Sequence, residues 1–231
     1  MSQPDLYGVN MRLAHNLNSV KILKMNKKKP LEERPVDRYH HGDLRTALIR
    51  AADEILAEHG LEGFSLRAAA RRAGVSAAAP AHHFGGAAGL LSEVAVLGFQ
   101  DLAKNLQVDA SQGTPTQRLR LQGMGYVRFA MTYPGRFQLM FRRDLLSPDH
   151  PALQEAGRRA LLLLEETIRA IRSRPDQQPL DPQAQAALLA TWSTVHGFAH
   201  LALDGKLAHL SAGAPLDDLL TRVLESQWPD P

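Results

Sequence analysis

Apolar residues recur at helical spacing along nearly the whole chain beyond residue 42, and no segment alternates apolar and polar residues as a half-buried strand does. Five periodic stretches lie in the C-terminal half, and prolines and glycines that end helices separate them. They are residues 116–132, 135–142, 152–172, 182–204 and 216–227. The sequence therefore predicts an all-α fold.

The region before these stretches predicts shorter helices, each preceded by a side chain that can cap it. Asp43 can cap a first helix and Ser65 a second. Ser76 can cap a third helix over about residues 77–83, and Gly74 supplies the turn before it. Three short helices with a glycine turn between the second and the third have the spacing of a helix-turn-helix.

Composition restricts the class of protein. The chain has no cysteine, which excludes disulfides, thiolate metal ligands and a cysteine nucleophile. The first forty residues lack the apolar core of a signal peptide. The charge-free stretch at 182–203 carries too many polar residues to cross a bilayer. We therefore expect a cytoplasmic protein with no membrane contact.

The positive charge is concentrated at the N-terminus. Residues 1–41 hold eight Lys or Arg against four acidic residues, whereas residues 42–91 hold five of each. A basic arm suits a polyanion such as DNA, and a solvated tail explains the same charge equally well. Because residues 1–38 also show weak periodicity, we expect them to form a disordered basic leader.

Several short motifs occur together at fixed spacing in the helix-turn-helix segment. They are Tyr39-His40-His41-Gly42-Asp43-Leu44-Arg45, Phe64-Ser65-Leu66-Arg67, Ala73-Gly74-Val75-Ser76, His83-Phe84 and Leu90-Leu91. Over about 50 residues this set resembles the tetracycline-repressor (TetR) family. Further along, Trp192 with Val195-His196-Gly197 resembles the Trp-His-Gly sensor-domain branch of that family.

The resemblance implies a homodimeric DNA-binding repressor that a small effector releases from a palindromic operator. Residues 39–91 would be the helix-turn-helix DNA-binding domain, and residues 92–231 a helical ligand-binding and dimerisation domain. Double-stranded DNA, a small-molecule effector and a second copy of the chain are the expected partners, and no cofactor is implied.

The DNA-facing residues include two departures from the family pattern. Where the family usually carries a Tyr in the third helix, the recognition helix, this chain has Ala81. Where the family usually carries a Lys at the start of the fourth helix, which the sequence predicts over about residues 87–107, this chain has Ala87. Both usual residues hold phosphates, so two positioning contacts are missing. The residues that we expect at the DNA are Arg67, Ser76, Ala77, Ala78, His82, His83, Gly86 and Ala87. A dimeric helical protein-interaction module with a decayed DNA-binding unit is the alternative.

Aromatic side chains in the C-terminal half indicate a ligand cavity or an apolar core. The candidates for ligand contact are Tyr126, Phe129, Phe137, Phe141, Trp192 and His196. They suggest a small, largely apolar ligand with one polar group near His196. His196 and His200 are four residues apart, a spacing that can hold a metal. No third ligand is evident, so the sequence predicts no metal site.

The last two predicted helices carry apolar stripes. Residues 188, 192, 195, 199 and 202 form one stripe, and leucines and a valine of residues 216–227 form the other. Such helices commonly build half of an intersubunit four-helix bundle, although packing inside one subunit gives the same pattern. We expect the dimer to form here.

No catalytic motif accompanies these features. The sequence lacks a serine elbow, a phosphate-binding loop, a dinucleotide glycine motif and a His-Glu zinc pattern. We therefore expect a regulator rather than an enzyme.

Overall fold

A computed structural model describes residues 41–172, 179–210 and 213–229. All regular structure in these ranges is helical, which confirms the predicted all-α fold. The α-helices are α1 His41–His59, α2 Leu66–Arg72, α3 Ala79–Phe84, α4 Ala87–Leu106, α5 Pro115–Thr132, α6 Pro134–Met140, α7 Pro151–Ile171, α8 Pro182–Leu203 and α9 Leu216–Gln227, with a 3-10 turn at Arg143–Leu145. The predicted leader, residues 1–38, lies outside the described residues.

Prolines and caps set the starts of the C-terminal helices. A proline opens each helix from α5 to α8, where the missing backbone N–H is not needed for helical pairing. Thr114 and Gln117 form a reciprocal capping box at α5. Asp181 caps α8, because its Oδ1 accepts a hydrogen bond from the Ala184 N–H over 2.7 Å. These signals explain why the five predicted ranges agree with the observed helices to within two residues.

The caps predicted for the three N-terminal helices are confirmed only in part. Ser65 caps α2 as predicted, and its Oγ accepts from the Ala68 N–H over 3.2 Å. The prediction for Asp43 was wrong, since α1 already begins at His41. The prediction for Ser76 was also wrong, because α3 begins at Ala79 and its N-cap, Ala78, offers no capping side chain.

Helix α4 is the centre of the fold. It packs on α1 and α3 and also on α5, α6 and α7. Helices α8 and α9 pack against α5 and complete the same apolar core. The division of the chain at residue 91 stays a prediction, since α4 belongs to the packing on both sides of it. Among the described residues no helix is long and apolar enough to cross a membrane.

The apolar stripe of α8 lies inside the subunit, which corrects the expectation that it forms the dimer surface. Val195 and Ala199 are buried, and a Cβ on Gly123 in α5 would meet Val195 at 3.2 Å. Leu220 and Leu224 of α9 are buried as well. In the sequence, an apolar stripe is compatible with a contact between subunits and with packing inside one subunit. In the structure the stripe of α8 packs against α5 of the same chain.

Candidate DNA-binding and ligand-binding sites

Helices α2 and α3 and the turn between them form the helix-turn-helix. Gly74 has a φ of +71°, a left-handed conformation that side chains with a Cβ rarely adopt. Pro80 lies in the first turn of α3, where a proline's fixed φ favours the helix. Gly85, also at a φ of +71°, ends α3. Pro80 therefore favours the start of the recognition helix, at a position where its missing backbone N–H is not needed for helical pairing.

The outer face of this unit presents small side chains. Ser76, Ala77, Ala78, Ala81 and His82 are exposed. Methyl groups can contact thymine methyls, but only Ser76 and His82 can form hydrogen bonds with base edges. The surface therefore has few side chains that could form hydrogen bonds with base edges.

His83 is less exposed than the adjacent His82. It is half-buried at the end of α3, and its ring contacts the rings of His82 and Phe84 with centroids 5.2 and 6.5 Å away. This placement fits a packing role better than contact with a base.

Two arginines of α2 are available to phosphates. Arg72 donates to Glu58 over 2.5 Å, and Arg45 is paired with Glu93. Arg67 and Arg71 are both exposed, and neither forms an ion pair with any residue that the structure describes. Arg71 was not among the residues expected at the DNA. In the sequence Arg71 and Arg72 look alike, and only the structure shows that Arg72 is paired with Glu58 while Arg71 is exposed.

The start of α4 provides backbone donors. Gly86 has a φ of +141° and carries no side chain that could cap the helix, and Ala87 behind it is exposed. The free N–H groups of a helix N-terminus and its dipole favour an anion. A phosphate could approach here without the lysine that this position lacks.

A cavity of about 460 Å³ lies behind the helix-turn-helix, between α4, α5, α7 and α8. Most of its wall is apolar. The lining residues are Phe99, Leu102, Leu106, Gln122, Gly123, Tyr126, Met140, Phe141, Arg143, Leu146, Ser147, Pro148, Leu153, Gln154, Gly157, Ala160, Leu161, Leu164, Thr191, Trp192 and Val195. Because Arg143, Pro148 and Gln154 are exposed, the cavity opens to solvent beside the 3-10 turn.

Three of the six side chains predicted to contact a ligand line this cavity: Tyr126, Phe141 and Trp192. Phe129 and Phe137 are fully buried in the core and are not part of the cavity wall. The sequence could not separate these two sets, because core and cavity aromatics have the same spacing.

The sixth, His196, lies behind the wall. Its ring packs on Phe141 with centroids 4.5 Å apart, and its Nδ1 is 2.8 Å from the Tyr126 hydroxyl. Trp192 Nε1 donates to the same hydroxyl over 3.4 Å. Burial lowers the pKa of His196, and the nearby His200 lowers it further. His196 therefore favours the neutral form and orients the cavity tyrosine.

Gln122 of α5 is a lining residue that the sequence did not indicate. Its Nε2 donates to the carbonyl oxygens of Leu106 and Leu163, each over 3.1 Å. These two acceptors also fix the orientation of the amide. In sequence, a glutamine within a helix is typical of the solvent face, so only the fold could identify it.

Two protein families match this chain, one in its N-terminal part and one in its C-terminal part. Residues 48–94 match the family described as bacterial regulatory proteins, tetR family. Residues 119–226 match the family described as tetracyclin repressor-like, C-terminal domain. The chain belongs to the TetR family. Comparison with curated proteins gives no match.

Solved structures resemble this TetR-family chain along most of its length. A protein of unknown function from a Rhodococcus species is 32% identical, with a TM-score of 0.68 over 83% of this chain and 97% of that one. The TetR family transcriptional regulator PfmR from Thermus thermophilus is 19% identical, with a TM-score of 0.54 and coverage of 80% and 95%. A tetR-family regulatory protein from Rhodococcus is 19% identical, with a TM-score of 0.59 and the same coverage. The two at 19% identity support the fold alone.

Membership in the TetR family makes the protein a DNA-binding transcriptional regulator. The assignment to the Trp-His-Gly branch stays a prediction. So do the individual DNA-facing and ligand-facing residues.

Proposed function

We propose that the protein is a homodimeric repressor that leaves a palindromic operator when a small, largely apolar molecule enters the cavity. The observation that carries this proposal is the wall of the cavity. Phe99, Leu102 and Leu106 of that wall belong to α4, and the start of α4, at Gly89, lies against Phe84 of the recognition helix. One helix thus contacts both the cavity and the recognition helix. This function would place the protein in the cytoplasm, with no catalytic role.

On DNA, α3 of each subunit would enter the major groove, with the two helices roughly 34–36 Å apart. Ser76, Ala77, Ala78 and His82 would face base edges. Arg67, with Arg71 beside it, would contact phosphates. The N-terminus of α4 at Gly86 and Ala87 would contact another phosphate, and His83 would support the helix end.

The exposed side of α8 supports the dimer. Ala186, Leu189, Ala190, Ser193, Gly197 and Leu201 are exposed on this helix. Leu189 is 56% exposed, and open space surrounds the position of a Cβ on Gly197. Small residues between leucines let two helices approach closely, so we place the symmetric contact on this stripe rather than on the buried one.

Contacts at the mouth of the cavity support the route to DNA. The Ser147 N–H donates to Ser92 Oγ in α4 over 2.9 Å. His150 Nε2 is 3.1 Å from Glu93 Oε1, and Glu93 is also paired with Arg45. The Arg45 guanidinium lies 5.3 Å from the centroid of the Phe84 ring, at the end of α3. A ligand that moved the 143–148 segment would therefore act on the recognition helix through α4 and α1.

Selection of binding sites from random DNA tests the proposal. The full chain at low salt should enrich a palindrome with half-sites one helical turn apart. Arg67→Gln and Arg71→Gln should each weaken binding to all sequences and reduce its salt dependence, because phosphate contacts carry no sequence information. Arg158→Gln, which removes an exposed cation paired with Glu155 in α7, is the control and should change neither.

The second candidate is a dimeric interaction module with a decayed DNA-binding unit. Ala81 and Ala87, where the family usually has phosphate ligands, favour it. If no palindrome is enriched and the two arginine variants bind DNA like the control, this second function replaces the first.

A further inference from the structure

We propose that the cavity selects amphipathic monocarboxylates, which enter with the apolar end first and leave the carboxylate at Arg143. This inference rests on the proposed function, because it names the chemical class of the effector for the same cavity. It assigns the ligand's polarity and orientation from the charges and hydrogen bonds of the wall.

The charge of the wall favours an anion. Arg143 is the only charged residue that lines the cavity, and no Asp or Glu does so among the described residues. A cationic ligand would lose its hydration without meeting a carboxylate, and Arg143 would repel it. An anion meets one positive charge, at the opening.

The deep part of the cavity has few donors left for a carboxylate. The amide N–H groups of Gln122 are used by two backbone carbonyls. Thr191 Oγ1 donates to the Ala187 carbonyl over 2.8 Å, and Trp192 Nε1 donates to Tyr126. The Tyr126 hydroxyl is held by His196, and burial raises its pKa, so it stays protonated. A carboxylate placed here would have to break an existing hydrogen bond, whereas a hydrocarbon chain would not.

The mouth of the cavity has a free donor. Arg142 donates two hydrogen bonds to Asp144, over 2.9 and 2.7 Å, so the carboxylate that follows Arg143 in the sequence already has a cationic partner. Arg143 forms no ion pair with any residue in the described ranges and is exposed. Ser147 lines the same cavity. A guanidinium binds a carboxylate through two parallel N–H groups, so Arg143 is the natural anchor.

Calorimetric titration of the full-length protein at pH 7.5, without DNA, tests the assignment with three ten-carbon probes: decanoate, decan-1-ol and decylamine. We expect decanoate to bind at least about tenfold more tightly than decan-1-ol, in line with a charge-assisted hydrogen bond to the carboxylate, and decylamine to bind most weakly. Equal binding of acid and alcohol, or no binding of decanoate, overturns the inference.

Variants of two exposed arginines supply the matched test. Arg143→Gln should weaken decanoate about tenfold and leave decan-1-ol unchanged, and Arg143→Lys should restore part of the loss. Arg159→Gln removes the same charge from the exposed side of α7, outside the wall, and should change decanoate binding less than about twofold. Equal losses in Arg143→Gln and Arg159→Gln would show that general surface charge, rather than Arg143, attracts the acid.

Different measurements test the ligand class and the repressor function, so the failure of one can be distinguished from the failure of the other. A protein that binds decanoate through Arg143 but enriches no operator keeps the ligand class and loses the repressor function. A protein that binds its operator and does not bind decanoate keeps the repressor function and loses the ligand class.

Discussion

Arg136 in α6 forms a bidentate pair with the carboxylate of Asp53 in α1. Its Nε donates to Oδ1 over 2.6 Å, and one terminal nitrogen donates to Oδ2 over 2.5 Å. Its other terminal nitrogen donates to Asp101 of α4 over 2.6 Å. The hydrogen bonds to Asp53 are the main reason why the pKa of Arg136 is raised. One largely buried guanidinium therefore joins the first helix of the DNA-binding unit to two helices that border the cavity.

Replacing Arg136 should cost more stability than replacing an arginine in an exposed pair. Arg136→Gln leaves two carboxylates without their charged donor and should lower the free energy of unfolding by about 2 kcal/mol. Arg128→Gln is the matched control, since Arg128 donates to Asp217 over 2.6 Å with both side chains about half exposed. It should cost less than about 1 kcal/mol. Urea unfolding followed by circular dichroism measures both, and equal costs would contradict the importance of this junction.

Gly135, next to Arg136, sets the distance between α6 and α1. A Cβ at this position would lie 2.5 Å from the Leu56 carbonyl oxygen, a backbone atom that cannot rotate away. Gly135→Ala should therefore force the two helices apart and destabilise the protein by about 1–3 kcal/mol. Gly157→Ala in α7 is the control, because its Cβ would meet Phe99 at an ordinary 3.8 Å. That change should be neutral or stabilising in thermal unfolding, and a similar loss in both variants would show that the α1–α6 contact is not the cause.

Local signals in the sequence predicted the helices but not their partners. The prolines that open α5 to α8 and the caps Ser65 and Asp181 act within one turn, so they can be identified without the fold. The face that a helix buries depends on distant residues. Val195 was assigned to a dimer surface for that reason, although it packs against α5.

The residues that line the cavity could not be predicted from local sequence signals either. Tyr126 and Phe129 are three residues apart on α5, but only Tyr126 reaches the cavity wall. Arg143 was not predicted at all, because an arginine after a short helix is typical of the surface. Its place at the opening depends on how α6 packs against α4.

The exposed stripe of α8 predicts which substitutions separate the subunits. Leu189→Glu should give a folded monomer, because it adds a charge to a surface that is exposed in one subunit and that the proposed dimer would cover. Val195→Asp should instead unfold the protein, since Val195 is buried in the subunit itself. Sedimentation gives the mass and circular dichroism the helix content. Arg159→Glu, on the exposed side of α7, is the control and should stay dimeric. A dimeric Leu189→Glu would remove this stripe from the interface.

The half-buried ring of His196 makes the stability depend on pH. Burial lowers the pKa of His196, and His200, whose ring centroid lies 4.7 Å from that of His196, lowers it further. The neutral ring can accept the hydrogen bond of the Tyr126 hydroxyl at Nδ1, over 2.8 Å. The pKa of His196 is lower in the folded protein than in the unfolded chain, where it has its ordinary value of about 6.5. The unfolded chain therefore binds the proton more readily in the interval between these two values. The stabilisation is complete above about pH 6.5 and is lost as the pH falls towards the folded pKa.

Comparison of the wild type with His196→Asn isolates this contribution from the other titrating groups. The asparagine side chain can still accept a hydrogen bond from Tyr126 but does not titrate, so the variant lacks the proton-linked change. We expect the wild type to lose stability relative to the variant between pH 7.5 and 5.5, by no more than about 1.4 kcal/mol per pH unit, the limit for one proton. Urea unfolding at four pH values measures the difference. A difference that stays constant, or that favours the wild type at low pH, would mean that His196 titrates alike in the folded and unfolded chains or gains a proton on folding. In that case the Tyr126 hydroxyl would not be held by a neutral ring.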